Sequence, residues 1–224
     1  MNQTAALQGD ALYALLDQAK ELVYDDNGPG DVAISREERM AAAAELLEQQ
    51  TYAPASVDEL ERLHDFLAHL GRNQTASQLL QTHRERVLAA ETDPSRHAHG
   101  DIRLALSDIQ SRTEFDKPAA IALLMPTLKK IEALPDQDES NYWDFWQNQA
   151  HKLQAWEMNA IAIDMRRARE RRDPDLADDA AFRDALACVR KAELAQHAGK
   201  PAEVGPLVQT AINTLRDAPA DQHV

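Results

Sequence analysis

The chain has 224 residues, 44% of them hydrophobic and 28% charged, with a formal net charge of −14. Such a composition suits a folded chain with a sizeable core and excludes global disorder. The acidic field repels nucleic-acid phosphate and anionic membrane surfaces, favours solubility and attracts a basic protein partner.

Only seven glycines stand among abundant Ala, Leu, Glu, Gln and Arg, a mixture that favours helix throughout. Cys188 is the one cysteine, so neither an intrachain disulfide nor a cysteine metal cluster is expected. The first ten residues lack a basic and an apolar leader region, and no apolar run approaches the length of a membrane span. The expectation is a cytoplasmic protein.

In chain order, Leu12, Leu15/Leu16, Ala19 and Leu22/Val23 share one helical face. Asp25 to Gly30 is a breaker, and Ser35-Arg-Glu-Glu38 reads as a capping box launching a helix through Met40, Ala43/Ala44 and Leu47. Ser56-Val-Asp-Glu59 reads as a second capping box. It opens a seam through Leu60, Leu63, Leu67 and Leu70, which Gly71 ends. The return helix runs through Ala76, Leu79/Leu80, His83, Val87 and Ala90, which makes His83 a hydrogen-bonded core histidine.

After Asp93-Pro94, Ile102, Leu106 and Ile109 make one stripe, and Ile121, Leu124, Leu128 and Ile131 make its partner from a start at Asp116-Lys-Pro118. Pro126 lies inside that second helix and Pro135 ends it. The fourth pair begins near Ser140 with Trp146, Ala150 and Leu153 inward, and returns from about Asn159 with Ile161, Met165 and Ala168 inward. In the fifth, Phe182, Leu186, Val189 and Ala192 face Val204, Leu207/Val208, Ala211 and Leu215 across Gly199. Cys188 is expected to be packed there.

Turns inside these pairs fall near Gly30, Gly71, Asp116, Glu157 and Gly199, at intervals of 41, 45, 41 and 42. Prolines between pairs, Pro54, Pro94, Pro135 and Pro174, recur at 40, 41 and 39. Leu79-Leu80-Gln81-Thr82 and Leu207-Val208-Gln209-Thr210 each begin eight residues past a turn glycine. Two markers with one period predict an all-α chain, an α-solenoid of about five antiparallel helical hairpins. The expected single domain is 1–218, with hairpins at 4–50, 56–92, 95–134, 140–172 and 176–218 and a flexible tail at 219–224.

Gly71 with Ala76, Gly199 with Ala211, and the Asp93-Pro94 and Asp173-Pro174 closures resemble, in degenerate form, the tetratricopeptide-repeat superfamily. The spacing here is longer than that family's 34 residues and nearer to HEAT repeats. The resemblance implies a protein-binding scaffold with a concave groove lined by the first helix of each pair.

His64-Asp65 lacks the upstream histidine that a metal-dependent phosphohydrolase of the HD type needs. His97 and His99, near Asp93 and Asp101, sit in an expected inter-hairpin segment and read as solvated. No phosphate loop, serine elbow or Cys–His pair appears, so neither a catalytic site nor a cofactor or metal is expected. The five arginines between Met165 and Arg172 are expected to pair with Asp164, Glu170, Asp173, Asp175, Asp178 and Asp179, with phosphate binding as the alternative.

The candidate partner surface is a stripe of Tyr142, Phe145, Gln149, Lys152 and Trp156, about 100° around the helix from the Trp146 seam. That stripe either packs on the preceding hairpin or lines the groove; Gln149 and Lys152 among aromatics suit an interface. Arg183 and Arg190 on the next hairpin are placed to hold a carboxylate of a partner peptide. The leading expectation is a non-enzymatic interaction module or adaptor binding a protein or peptide on its concave face. The alternatives are an acidic inhibitor, such as an immunity-type protein neutralising a basic toxin or enzyme, and an enzyme whose site is not legible.

Overall fold

The structure is a computed structural model that describes residues 6–24, 35–135, 140–173, 176 and 179–218. The expected breaker at Asp25 to Gly30 and the tail at 219–224 lie outside them. Among the described residues there are ten helices, and the only β contact is an isolated bridge between Leu7 and Tyr52. None of these helices is long and apolar enough to cross a membrane.

The chain divides into two compact units, residues 1–120 and 121–224. The first contains α1 (Gly9–Tyr24), α2 (Arg36–Glu48), α3 (Val57–His69), α4 (Asn73–Ala90) and α5 (Pro94–Phe115). Helix α6 (Lys117–Glu132) starts in it and runs into the second unit, which holds α7 (Ser140–Lys152), α8 (Trp156–Glu170), α9 (Ala180–His197) and α10 (Pro201–Arg216). Neighbouring helices pack: α1 on α2, α3 on α4, α4 on α5, and α3 on α5 and α1 in the first unit. In the second, α7 packs on α8, α8 on α9 and α9 on α10.

In the first unit the apolar periodicity translates directly into burial. Leu12, Leu16, Ala19 and Val23 meet Ala43, Ala44 and Leu47, joined by Leu63, Phe66, Leu67 and Leu70. Ser35 and Glu38 close the expected capping box, each bonding the other's backbone amide. At Ser56 only half of one forms. Its Oγ accepts from the Glu59 amide, but the buried Glu59 carboxylate turns away to accept from the amides of Ala55 and Gly9.

The expected core histidine is displaced by one seam. His83 is half-buried, and burial together with nearby Arg86 pushes its pKa below the ordinary histidine value. The fully buried histidine is His64, whose ring nitrogens lie 2.9 Å from Asp65 Oδ1 and 2.7 Å from Ser111 Oγ. Asp93 caps α5 by accepting from the Ser95 and Arg96 amides, which puts His97 and His99 in the first turns of a helix rather than in a linker.

Three pair-internal turns share one geometry. Gly71, Gln154 and Gly199 have φ of 76°, 57° and 70°. The next amide, of Arg72, Ala155 or Lys200, reaches back to the carbonyl of Leu67, Ala150 or Ala195 at 2.9, 2.8 and 2.9 Å. This is the Schellman closure of a helix C-terminus. The fourth turn therefore lies at Gln154, not near Glu157, and α8 begins earlier than expected, at Trp156. A side chain in the left-handed region costs about 1–2 kcal/mol. Gln154→Gly is accordingly expected to stabilise the chain by about 1 kcal/mol in chemical denaturation.

With the turns aligned, α3 to α5 and α7 to α9 follow the same plan at an offset of 83 residues, since Val57 maps to Ser140, Asn73 to Trp156 and Gly71 to Gln154. The inward positions agree: Leu60 with Trp143, Leu63 with Trp146, Leu67 with Ala150, and Leu70 with Leu153, all buried. The ion pairs agree too. Arg84 on α4 donates to Asp101 on α5, and at the same offset Arg167 on α8 donates to Asp184 on α9. Lys117-Pro-Ala119 and Lys200-Pro-Ala202 stand at that offset as well.

The second copy departs from the sequence expectation on its later faces. Ile161 and Ala168 point outward, while Asn159, Ala162, Ile163 and Arg167 are buried. On α9 the inward residues are Ala185, Ala192, Leu194 and Ala195, and Phe182, Leu186 and Val189 are exposed. On α10 only Ala211 is buried, with Val208, Ile212 and Leu215 exposed. The physical reason lies in Arg167: a guanidinium satisfied by partners on α8 and α9 occupies the inward face that an apolar periodicity assigns to Ile161 and Met165.

Candidate functional site: an arginine cleft beside an exposed apolar row

Helices α7, α8 and α9 enclose a cleft of about 140 Å³ within the second unit. Gln147 comes from α7; Ile163, Arg166, Arg167 and Glu170 come from α8; Arg183, Leu186, Ala187 and Arg190 come from α9. Four arginines against one glutamate at its wall stand out in a chain of net charge −14.

Arg167 is the structural centre. It is buried, donating to Asp184 Oδ1 at 2.6 Å, to Glu170 Oε2 at 3.0 Å and to the Ala180 carbonyl at 3.0 Å. Arg171 also binds Asp184, at 2.8 Å, and Arg166 binds Asp144 at 2.8 Å with Glu170 at 3.4 Å. Arg166, Arg167 and Arg171 of the cluster are thus paired within the chain, in part with acids other than those expected. Asp144 and Asp184 join Glu170, while Asp164 pairs with Lys191 and Asp179 with Arg183. Asp175 and Asp178 lie outside the described residues.

Two arginines remain under-used. Arg183 approaches Glu170 at 3.8 Å and Asp179 at 3.7 Å, and its Nε is buried with no hydrogen-bond partner. Arg190 is exposed and has no ion pair among the described residues. Along the same helix Phe182, Leu186 and Val189 leave 58%, 36% and 39% of their surface open.

Of the sequence-derived partner residues, Arg183 and Arg190 line the cleft. Gln149 is buried rather than at a surface, 3% exposed with its Oε1 lacking a partner, because it occupies the inward position that Phe66 takes in the first copy. Tyr142 and Phe145 are half-buried and Lys152 is exposed. Trp156 is half-buried, stacked on His197 at 5.3 Å with His151 edge-on at 4.9 Å. It starts α8, about 16 Å along the helix from Arg167.

Gln147, Ile163, Arg166 and Arg167 were missed as cleft residues; the signal that finds them is the 83-residue offset, which sets Arg183 where the first copy has Gly100. Cys188 is half-buried. No group of three or more metal-ligating side chains occurs among the described residues.

In the first unit a larger cavity, about 550 Å³, lies between α1 and α3. Tyr24 and Phe66 each stack with His69, the Tyr24 hydroxyl is 2.8 Å from His69 Nε2, and Arg62 lies over the Tyr13 ring.

The fold and site together define an all-α chain of packed helix pairs with an arginine-lined cleft next to an exposed apolar row. No family model matches the chain, and neither a curated protein nor a solved structure matches it.

Proposed function

We propose that the chain is a non-enzymatic interaction module, a tetratricopeptide-like α-solenoid of helical hairpins that docks a protein partner on the α9 face. The observation that carries this reading is the exposed row Phe182, Leu186 and Val189, spaced i, i+4, i+7, beside Arg183 and Arg190. An apolar stripe rimmed by arginine is the composition of an interface rather than of a solvated face. Three large side chains at that spacing suit a partner helix laid along α9.

Affinity capture from the native host followed by mass spectrometry tests the reading. Phe182→Ala combined with Leu186→Ala is expected to abolish recovery of the wild-type partner while leaving the thermal midpoint within about 2 °C, because both side chains are exposed. Undiminished capture by the double variant would remove α9 from the interface.

A further inference from the structure

The two sets of helices differ where the cleft lies, and the difference names what the cleft lacks. In the first copy Gly100 lets α5 close on α3: a Cβ there would stand 2.9 Å from Val57 Cγ2 and 3.5 Å from Leu88 Cδ2. Leu104 and Val87 fill the seam, and Arg103 fastens α5 to α3 by donating to Asp58 and Glu61. Those two acids also hold the Arg103 guanidinium well above its ordinary pKa.

At the equivalent positions the second copy has Arg183 for Gly100, Ala187 for Leu104, Glu170 for Val87 and Leu186 for Arg103. On α7 the acids become Asn141 and Asp144, and Asp144 is taken by Arg166 at 2.8 Å. No carboxylate of α7 therefore serves the arginines of α9. A buried donor without an acceptor is costly, and a guanidinium pair is the natural receptor for a carboxylate.

We infer that the cleft between α7, α8 and α9 receives carboxylates from an acidic amphipathic helix of a partner protein, with Arg183 and Arg190 as the donors. This rests on the reading of α9 as the interaction face. Arg183 and Arg190 are seven residues apart, two helical turns or about 10.5 Å, so they match glutamates at i and i+7 of a partner helix. Leu186 and Val189 lie between them and Phe182 just before, ready for leucines on the same partner face. A phosphate dianion fits less well, because Glu170 lines the cleft and Asp184 and Asp144 adjoin it.

The probe is an acetylated, amidated 15-residue helical peptide with two glutamates seven apart and leucines between them, titrated into the full chain. Its controls are the glutamine counterpart and inorganic phosphate. The glutamate peptide is expected to shift the Nε–Hε resonances of Arg183 and Arg190, and the glutamine peptide to bind at least tenfold more weakly. Arg190→Gln, at a side chain with no ion pair among the described residues, is expected to weaken the glutamate peptide about tenfold with an unchanged thermal midpoint.

Equal binding of the glutamine peptide overturns the inference, as does the absence of any shift at millimolar peptide. Phosphate moving the same resonances at lower concentration than the peptide also overturns it. If Phe182→Ala/Leu186→Ala abolishes partner capture but Arg190→Gln does not, the interaction face stands and the carboxylate site falls.

Discussion

Trp146→Ala is expected to destabilise the second unit by about 3–5 kcal/mol, the range for deleting a fully buried large aromatic. Trp146 is 0% exposed, and its Nε1–H donates to the Leu124 carbonyl on α6 at 2.8 Å. Two losses therefore combine, the burial of the whole indole and its hydrogen bond to the α6 backbone. Trp146→Phe separates them: it keeps most of the ring and gives up the hydrogen bond, for about 1–2 kcal/mol. Denaturant midpoints read both values. A cost below about 1 kcal/mol for the alanine variant is incompatible with a tryptophan at the centre of this packing.

Gly100→Arg, which installs the second copy's residue in the first, is expected to cost about 3 kcal/mol or more. Replacing a helix-interior glycine ordinarily gains about 1 kcal/mol in propensity. Here the first side-chain carbon already meets Val57 at 2.9 Å, and Val57 is β-branched and stiff at χ1. Overpacking costs about 1–3 kcal/mol, and a guanidinium forced into a buried position adds to it. Gly205 provides the control. A Cβ there meets nothing within 4 Å beyond its chain neighbours, so Gly205→Ala, restricted only by the following Pro206, is expected to change stability by less than about 1 kcal/mol. Gly100→Arg close to wild type in stability would mean that the close approach of α5 to α3 does not depend on the glycine, and the account of how the second cleft opened would fail with it.

The sequence by itself determined the helices of the first unit, their order and most of their inward faces. The reason is that α1 and α3 bury leucine, alanine, phenylalanine and valine at helical spacing, and hydropathy alone marks such a face. Local chemistry was equally legible where it closes within a few residues: the Ser35–Glu38 box and the turns at Gly71 and Gly199 need no distant partner. The Gln154 turn was misplaced because a left-handed glutamine carries no such signature.

What only the tertiary structure decided is the set of buried polar groups and everything rotated by them. His64 is inside because Ser111, 47 residues later, meets its ring, and Arg167 because Asp184 and Glu170 neutralise it. Burying a charge is unfavourable until such partners arrive from another helix, and periodicity carries no record of them. Once Arg167 turns inward, Ile161 turns out; with Arg183 in place of a glycine, the apolar row of α9 stays at the surface beside the cleft.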